Sequence, residues 1–204
     1  MNVNVDALAA EIVRLLTIEM EASGRHIHLS RSHVDALFGV GYKLTPVKDL
    51  SQPGQFACKE RVTLVGPKGE LKNVVVLGPE RGESQVEISL TDAVSLGITP
   101  PVRQSGDVAG TPGLKMVGPA GEIDITEGVI IAKRHIHMTP EDAKAFGIED
   151  KQVVKVKVAN DSRTTIFDDV VCRVHPTYAL AMHIDTDECN AAAAFGTVYG
   201  EVIL

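Results

Sequence analysis

The 204-residue chain has 20 Lys and Arg residues against 27 Asp and Glu residues, a formal net charge of -7. This acidic balance argues against a general nucleic-acid-binding protein, because affinity for phosphate backbones depends on clustered Lys and Arg side chains. No apolar run approaches the roughly 20 residues that a membrane span needs. The sequence therefore predicts a globular protein that binds neither nucleic acid nor membrane, and its first residues lack the basic segment of a secretory signal.

The cysteine pattern argues against two classes of small domain, those stabilised by disulfides and those stabilised by zinc on cysteine thiolates. Cys58, Cys172 and Cys189 are odd in number and widely spaced, and no Cys-x-x-Cys occurs. Neither a disulfide framework nor a thiolate zinc finger is expected from such a pattern. A reducing compartment fits best.

The first segment has the periodicity of an amphipathic helix over residues 5–20. Its apolar stripe consists of Leu8, Ile12, Leu15, Leu16 and Met20. Glu21–Gly24 would end the helix, since glycine commonly terminates helices. We assign residues 1–24 to this helix and a linker. The periodicity leaves open whether the helix docks on the rest of the protein or is a detachable peptide.

Beyond the linker the pattern changes to short β-branched runs bounded by turn residues. These runs are Val62–Val65, Val74–Leu77, Val153–Val158 and Val170–Val174. Short strands at this spacing favour barrels over a parallel sheet with long helices. The Gly- and Pro-rich residues 106–121 predict a connection between two halves. We expect the first half to comprise residues 25–105 with part of the C-terminal segment, and the second to comprise residues 106–204.

An internal repeat organises the chain. The segment Arg25–Ser30, Arg-His-Ile-His-Leu-Ser, returns 109 residues later as Arg134–Thr139, Arg-His-Ile-His-Met-Thr. Each copy runs into a short helical segment that closes at a Phe-Gly pair, at Gly39 and at Gly147. Because Ser and Thr are preferred N-cap residues, each copy predicts a strand followed by a capped helix.

Two further copies of this unit are less obvious. In Val86–Leu90 we take Thr91 as the helix cap, so that Glu87 occupies the slot of the first histidine. Met182–Asp185 forms the fourth copy and carries His183. One strand-cap-helix unit, used four times, would deliver polar side chains at the end of a strand each time.

The repeated histidines predict metal binding. Residues i and i+2 of a strand point to the same face, so each His-x-His forms a two-pronged clamp. Neutral imidazole is the usual zinc ligand, and catalytic zinc has three protein ligands with one open position. Duplicated surface histidines are the alternative, but they do not explain a glutamate in the same slot. We assign His26, His28 and Glu87 to one zinc ion, and His135, His137 and His183 to a second one.

Arg81 is a candidate for anion binding. It stands in the Gly-rich segment Gly78–Glu83, which predicts a turn, six residues before Glu87. The planar guanidinium group matches the geometry of phosphate, so an arginine beside metal ions indicates an anionic substrate. An ordinary exposed surface arginine remains the alternative on this argument alone.

Taken together, these segments resemble the PduL-type phosphotransacylases, the phosphate propanoyltransferases associated with bacterial metabolic microcompartments. The resemblance extends from about Arg25 to Asn190. It rests on Arg25–Ser30, Leu64–Gly69, Gln85–Ser89, Thr111–Gly113, Arg134–Thr139 and Met182–Glu188. One departure is Cys189, where the family pattern has alanine, and it affects no ligand.

The resemblance implies a mainly β fold of two β-barrel halves capped by short α-helices, with a dinuclear zinc site between them. It implies exchange of a propanoyl group between coenzyme A and inorganic phosphate, and an essential role for Arg81. The same six zinc ligands follow from it. We further expect a homo-oligomer, a dimer, in the lumen of a microcompartment or in the cytoplasm, where the N-terminal helix would meet shell or lumen proteins.

Two other classes remain open from the sequence. A dinuclear zinc hydrolase would use the same ligands with a hydroxide between the ions. A non-enzymatic module would use zinc for stability alone, with closed coordination and no dependence on phosphate.

Overall fold

Short strands alternate with short helices along the chain, which confirms the mainly β class. The computed structural model describes residues 17–160 and 162–204. The strands of this part are β1 (Thr17–Ala22), β2 (His26–Ser30), β3 (Pro46–Asp49), β4 (Phe56–Val65), β5 (Glu70–Arg81), β6 (Gln85–Glu87), β7 (Val102–Arg103), β8 (Leu114–Val117), β9 (Glu122–Ile125), β10 (Val129–Ala132), β11 (His135–Met138), β12 (Val153–Ala159), β13 (Thr164–Val174), β14 (Ala181–Ile184) and β15 (Val198–Ile203). The helices are α1 (Arg31–Phe38), α2 (Leu90–Leu96), α3 (Pro140–Phe146) and α4 (Thr186–Ala192).

The chain divides into two compact units. The barrel unit combines residues 17–23 with the described residues of Arg134–Ile184 and Glu188–Leu204. The half-barrel unit contains Gly24–Lys133 and the short piece Asp185–Asp187. Each of the two sheets belongs to one of these units.

The sheet of the barrel unit closes on itself in the order β1-β14-β11-β13-β12-β15. Its interior is filled by aliphatic side chains that alternate along the strands, such as Val154, Val156 and Val158 of β12. Strand β11 pairs in parallel with β13 and antiparallel with β14. These pairings place His135 opposite His183 in the register.

The N-terminal helix prediction is wrong for its last residues. Residues 5–16 of the predicted helix lie outside the described residues, and residues 17–20 belong to strand β1. Ile18 and Met20 are both buried in the barrel core, which fits the two-residue period of a strand, whereas only Met20 belongs to the predicted helical stripe. Pairing with β14 and β15 decides in favour of the strand.

This position of β1 predicts different results for two truncations. Removing residues 1–22 deletes a strand of the closed barrel, together with Ile18 and Met20, whose burial contributes about 1.5–3 kcal/mol each. Because a whole domain is stable by only about 5–15 kcal/mol, we expect the shortened protein to lose its cooperative thermal transition. Removing residues 1–16 keeps β1 and should preserve that transition, followed by circular dichroism. If the protein lacking residues 1–22 melted like the full-length protein, β1 would be dispensable for stability.

The half-barrel unit contains an open sheet in the order β7-β10-β6-β2-β5-β4-β8-β9, with β3 paired to β4. Strand β2 lies between β5, its parallel neighbour, and β6, its antiparallel neighbour. The region 106–121, which we expected to be a connection, contains strand β8 of this sheet. In residues 17–160 and 162–204, no helix combines the length and the apolarity that crossing a membrane requires.

Helix caps confirm the repeated unit and correct its alignment. Ser30 and Thr139 are N-caps, as predicted, and their side chains accept hydrogen bonds from the backbone of the first turn. The third copy is capped by Ser89 rather than Thr91, because its helix begins at Leu90 and Asp92 completes a capping box with Ser89. The helix of the fourth copy ends at Ala192, before the pair Phe195-Gly196.

The corrected caps change the slot of the glutamate. Three residues before the first helical residue the four copies carry His28, Glu87, His137 and His183. Five residues before it they carry His26, Gln85, His135 and Ala181. Glu87 therefore takes the slot of the second histidine, and Gln85 takes the slot of the first.

Candidate metal centres

The first predicted ligand set comes together on β2 and β6. His26 and Glu87 are opposite one another in the antiparallel register, and the Nε2 atom of His26 lies 3.4 Å from Oε2 of Glu87. With His28 they offer three ligand atoms that lie within 4.8 Å of one another. Zinc bonds of about 2.0–2.1 Å in a tetrahedron place ligand atoms roughly 3.3–3.5 Å apart. The set is thus near zinc geometry.

Hydrogen bonding orients these imidazoles for ligation. Nδ1 of His26 donates to the carbonyl oxygen of Gly24 at 2.8 Å, which leaves Nε2 directed at Glu87. A backbone carbonyl on the second ring nitrogen is the usual support for a metal-binding histidine. His28 is also buried, and a hydrogen bond with the backbone of Leu77 acts on its ring. Two imidazoles and one carboxylate are ligands that zinc commonly takes, so the residues present fit zinc.

Burial and neighbouring charges fix the protonation of the set. Burial, the charge of His26 and the charge of Arg81 lower the pKa of His28 to about 3, so this imidazole is neutral. Burial also disfavours a charged His26, but the Glu87 carboxylate raises the pKa of His26 above its ordinary value. Burial opposes ionisation of Glu87 as well, yet His26, His28 and a hydrogen bond from Ser105 hold its pKa well below the usual range.

These shifts predict a proton-linked metal affinity. A metal ion must displace the proton of His26, whose pKa is raised, whereas His28 offers no competing proton above pH 4. Below the pKa of His26, zinc affinity of the first set should fall about tenfold per pH unit, and above it the affinity should level off. A His135→Ala variant, which retains the first set alone, allows measurement by chelator competition between pH 5 and 8. If the zinc affinity did not change with pH below the pKa of His26, or changed about a hundredfold per pH unit, this assignment would be contradicted.

The second predicted set lies on β11 and β14 of the barrel unit. The ring centroids of His135, His137 and His183 are 4.6–5.2 Å apart, and their ligand atoms lie within 4.8 Å of one another. Nδ1 of His183 faces Oε2 of Glu21 at 3.6 Å. A carboxylate at this position can hold the ring so that Nε2 points into the set. The ring of Tyr178 packs against His137 at 4.3 Å.

Arg81 stands beside the first set, but not in a turn. It is the last residue of β5, and the register places it opposite Ser30, two residues after His28 on β2. Its side chain is half-buried and Nη1 donates to Oγ of Ser105 at 3.2 Å. The charge of the nearby guanidinium group is one cause of the lowered pKa of His28. The sequence-based placement of Arg81 in a turn is therefore wrong, and its role in anion binding stays a prediction.

Three side chains beside these sets were not predicted from the sequence. Gln85 and Ser105 hydrogen-bond beside Glu87, and Glu21 faces His183. Gln85 had a detectable signal, because it occupies the first-histidine slot once Ser89 is taken as the cap. Glu21 and Ser105 had none, since only the sheet pairings bring β1 and the loop after β7 to these positions.

The cysteines are poorly suited to act as nucleophiles or as metal ligands. Cys58, Cys172 and Cys189 are buried and form no disulfide. Burial raises the pKa of both Cys58 and Cys172 to about 11, so neither is a thiolate near neutrality. A thiol in that state is a poor nucleophile and a poor metal ligand.

Known proteins match the chain over nearly its whole length. A profile of the phosphate propanoyltransferase family matches residues 19–195. The phosphate propanoyltransferase of Enterococcus faecalis is 60% identical over 175 residues, which cover 86% of this chain and 82% of that protein. The one of Clostridioides difficile is 55% identical over 199 residues, 97% of this chain and 95% of that protein. The one of Thermotoga maritima is 58% identical over 186 residues, 89% of each chain.

These matches confirm the resemblance found in the sequence. The segment matched by the family profile contains both ligand sets, Arg81 and the four copies of the repeated unit. It also contains every described strand of the half-barrel unit. The chain therefore belongs to the phosphate propanoyltransferase family, a family of acyltransferases.

Proposed function

We propose that this chain transfers a propanoyl group between coenzyme A and inorganic phosphate, giving propanoyl phosphate and free coenzyme A, at a dinuclear zinc site built from the two ligand sets. The observation that carries the proposal is the position of Arg81 beside His26, His28 and Glu87 in a member of this family. A permanent positive charge beside a three-ligand set is suited to an anionic substrate. Each set leaves a coordination position for a substrate atom.

The residues of the half-barrel unit would bind and orient phosphate. Arg81 can present two parallel N–H groups to two phosphate oxygens, which orients the phosphate so that one of its two other oxygens can attack. Attack on the thioester carbonyl forms the new C–O bond, and the C–S electron pair leaves with sulfur. Because both substrates are held in the attacking geometry, the reaction needs no covalent acyl-enzyme.

Bound zinc would supply a Lewis acid that accepts sulfur as well as oxygen and stabilises negative charge. His26, His28 and Glu87 would hold one ion, and His135, His137 and His183 the other. The neutral imidazole of His28 and the ionised carboxylate of Glu87 are in the protonation states that metal binding requires, whereas His26 has to lose a proton.

The proposal is tested with propanoyl-CoA and the zinc-loaded full chain, with and without phosphate. We expect thioester loss that depends on phosphate, release of one free thiol per acyl group, and an acyl phosphate that hydroxylamine traps as the hydroxamate. Propanoyl-CoA should react faster than acetyl-CoA. Thioester loss without phosphate and without acyl phosphate would establish the hydrolase alternative, and no thioester loss would establish the structural module.

We also propose that the protein is a dimer, located in a microcompartment lumen or in the cytoplasm. The family resemblance supports these proposals. Light scattering coupled to gel filtration should give twice the chain mass of 21.8 kDa. Fusing residues 1–20 to a fluorescent protein tests whether they direct cargo to a microcompartment. The fusion is informative because the barrel is absent from it, so that these residues cannot pair with barrel strands.

A further inference from the structure

Gln85 stands in a ligand slot of the repeat without belonging to the ligand set. It occupies the position of His26 and His135 in the third copy of the unit, and its side chain is 3% exposed. The fourth copy fills the same slot with Ala181, which is 2% exposed. Since an alanine satisfies the packing of this slot, the fold of the unit does not require an amide there.

The amide of Gln85 is fully engaged beside the first ligand set. Its Nε2 donates to Oε1 of Glu87 at 2.5 Å and to Oγ of Ser105 at 2.9 Å. Its Oε1 accepts from the backbone N–H of Gly106 at 2.7 Å. A primary amide has two N–H donors, and both are used.

Because of these hydrogen bonds, the two oxygens of Glu87 have different partners. Oε1 is held by Gln85, and Oε2 faces Nε2 of His26 at 3.4 Å, the spacing of two zinc ligands. With Oε1 held, Glu87 can offer the metal one oxygen, which leaves an additional coordination position for substrate. A carboxylate without this restraint can swing to bind through both oxygens.

Ser105 joins this arrangement to Arg81. Its Oγ accepts from Nε2 of Gln85 at 2.9 Å and from Nη1 of Arg81 at 3.2 Å. Its own hydrogen remains for the Glu87 carboxylate, with which Ser105 also forms a hydrogen bond. One hydroxyl thus contacts the amide, the carboxylate ligand and the arginine.

We propose that Gln85 is a positioning residue, which holds Glu87 as a one-oxygen metal ligand and, through Ser105, holds Arg81 beside the same metal. The proposal rests on the proposed function for its kinetic consequences, but the positions it assigns to Glu87 and Arg81 do not depend on that function. Outer partners of metal ligands typically change affinity or activity about 10–100-fold when they are removed.

A purely structural role is the competing explanation, because Gln85 also ties down the loop at Gly106. That role predicts a lower melting temperature and nothing specific at the metal. Cobalt distinguishes the two, since its visible spectrum weakens when coordination rises from four to five. A His135→Ala background confines the cobalt to the first set.

Three variants separate the contacts. Gln85→Met keeps the length of the side chain and removes all its hydrogen bonds. Ser105→Ala removes the connection to Arg81 and the hydrogen bond from Ser105 to Glu87, but leaves the Gln85 amide on Oε1 of Glu87. Gln152→Met is the matched control, because Gln152 also accepts a backbone N–H, that of Glu149 at 2.9 Å, but lies in the barrel unit.

We expect Gln85→Met to weaken the cobalt spectrum and, in the otherwise intact zinc enzyme, to lower kcat about 10–100-fold. Ser105→Ala should leave the cobalt spectrum unchanged and raise the KM for phosphate about 3–10-fold, the effect of one lost hydrogen bond. Gln152→Met should change none of these quantities.

An unchanged cobalt spectrum in Gln85→Met together with a normal phosphate KM in Ser105→Ala would overturn the proposal. If Gln85→Met does not fold, the phosphate KM of Ser105→Ala decides alone. If the unmodified enzyme shows no phosphate-dependent transfer, the proposed function fails, and the cobalt spectra still decide the role of Gln85.

Discussion

Replacing Arg81 with alanine is expected to lower turnover about 100–1,000-fold, the usual scale for losing one electrostatic contact to a reacting group. The guanidinium lies beside the first ligand set, where its charge reaches His28, but it is not itself a ligand. Zinc content should stay normal, because all six ligands remain. The lost hydrogen bond to Ser105 should cost only about 1 kcal/mol of stability.

Arg81→Lys separates charge from geometry in this prediction. An ammonium group keeps the charge but cannot make two parallel hydrogen bonds to phosphate, so we expect little recovery of turnover. Arg163→Ala is the control for removing a positive charge, since Arg163 is exposed, lies in the barrel unit and donates to the carbonyl oxygen of Ala191. It should turn over at the normal rate.

A near-normal turnover and phosphate KM in Arg81→Ala would move the phosphate site elsewhere. Three other arginines flank the repeated units, and each already forms an ion pair with a carboxylate. These pairs are Arg25 with Asp92, Arg103 with Asp107 and Arg134 with Glu188. These three arginines are the next candidates, and phosphate would have to compete there with the paired carboxylate.

The ligand sets could be predicted from sequence because the His-x-His pattern occurs in two copies of the repeat. A strand directs alternate residues to one face, so each His-x-His defines two ligands without knowledge of the fold. Pairing with a third ligand requires knowing which strands are neighbours. Here the repeat supplied that as well, since β6 and β14 are themselves copies of the unit and pair antiparallel with β2 and β11.

The alignment of the third copy failed for a local reason. Ser89 and Thr91 are both acceptable N-caps, and Leu90 between them gives no preference for either as the start of a helix. Asp92 settles the choice, because its carboxylate reaches back to the N–H of Ser89. The capping-box spacing was present in the sequence and would have placed Gln85 in the first-histidine slot.

Strand β1 could not be identified from its own residues. Thr17-Ile18-Glu19-Met20 alternates polar and apolar side chains, but Met20 also continues the helical stripe that begins at Leu8. The contacts that decide its structure come from β14 and β15, more than 160 residues later in the chain. Tertiary pairing of this kind overrides local periodicity.

Removing one ligand from each set has the largest expected effect on activity. We expect the unmodified protein, prepared without chelators, to contain close to two zinc ions per chain. His26→Ala and His135→Ala should each retain about one, since the two histidines lie on different strands of different units. His175→Ala, an exposed histidine bonded to Thr177, is the control and should retain both ions.

Both ligand variants should lose activity together although each keeps one zinc ion. Losing a metal that stabilises transition-state charge by about 4 kcal/mol lowers turnover roughly a thousandfold. If the ions form one dinuclear centre, either loss is sufficient, and cobalt placed in both sets of the unmodified protein should show magnetic coupling. If one set is only structural, its variant should keep turnover in proportion to its folded fraction. Equal loss in both variants with normal melting after zinc loading therefore supports a catalytic role for both sets, and elemental analysis showing one ion or none in the unmodified protein would exclude it.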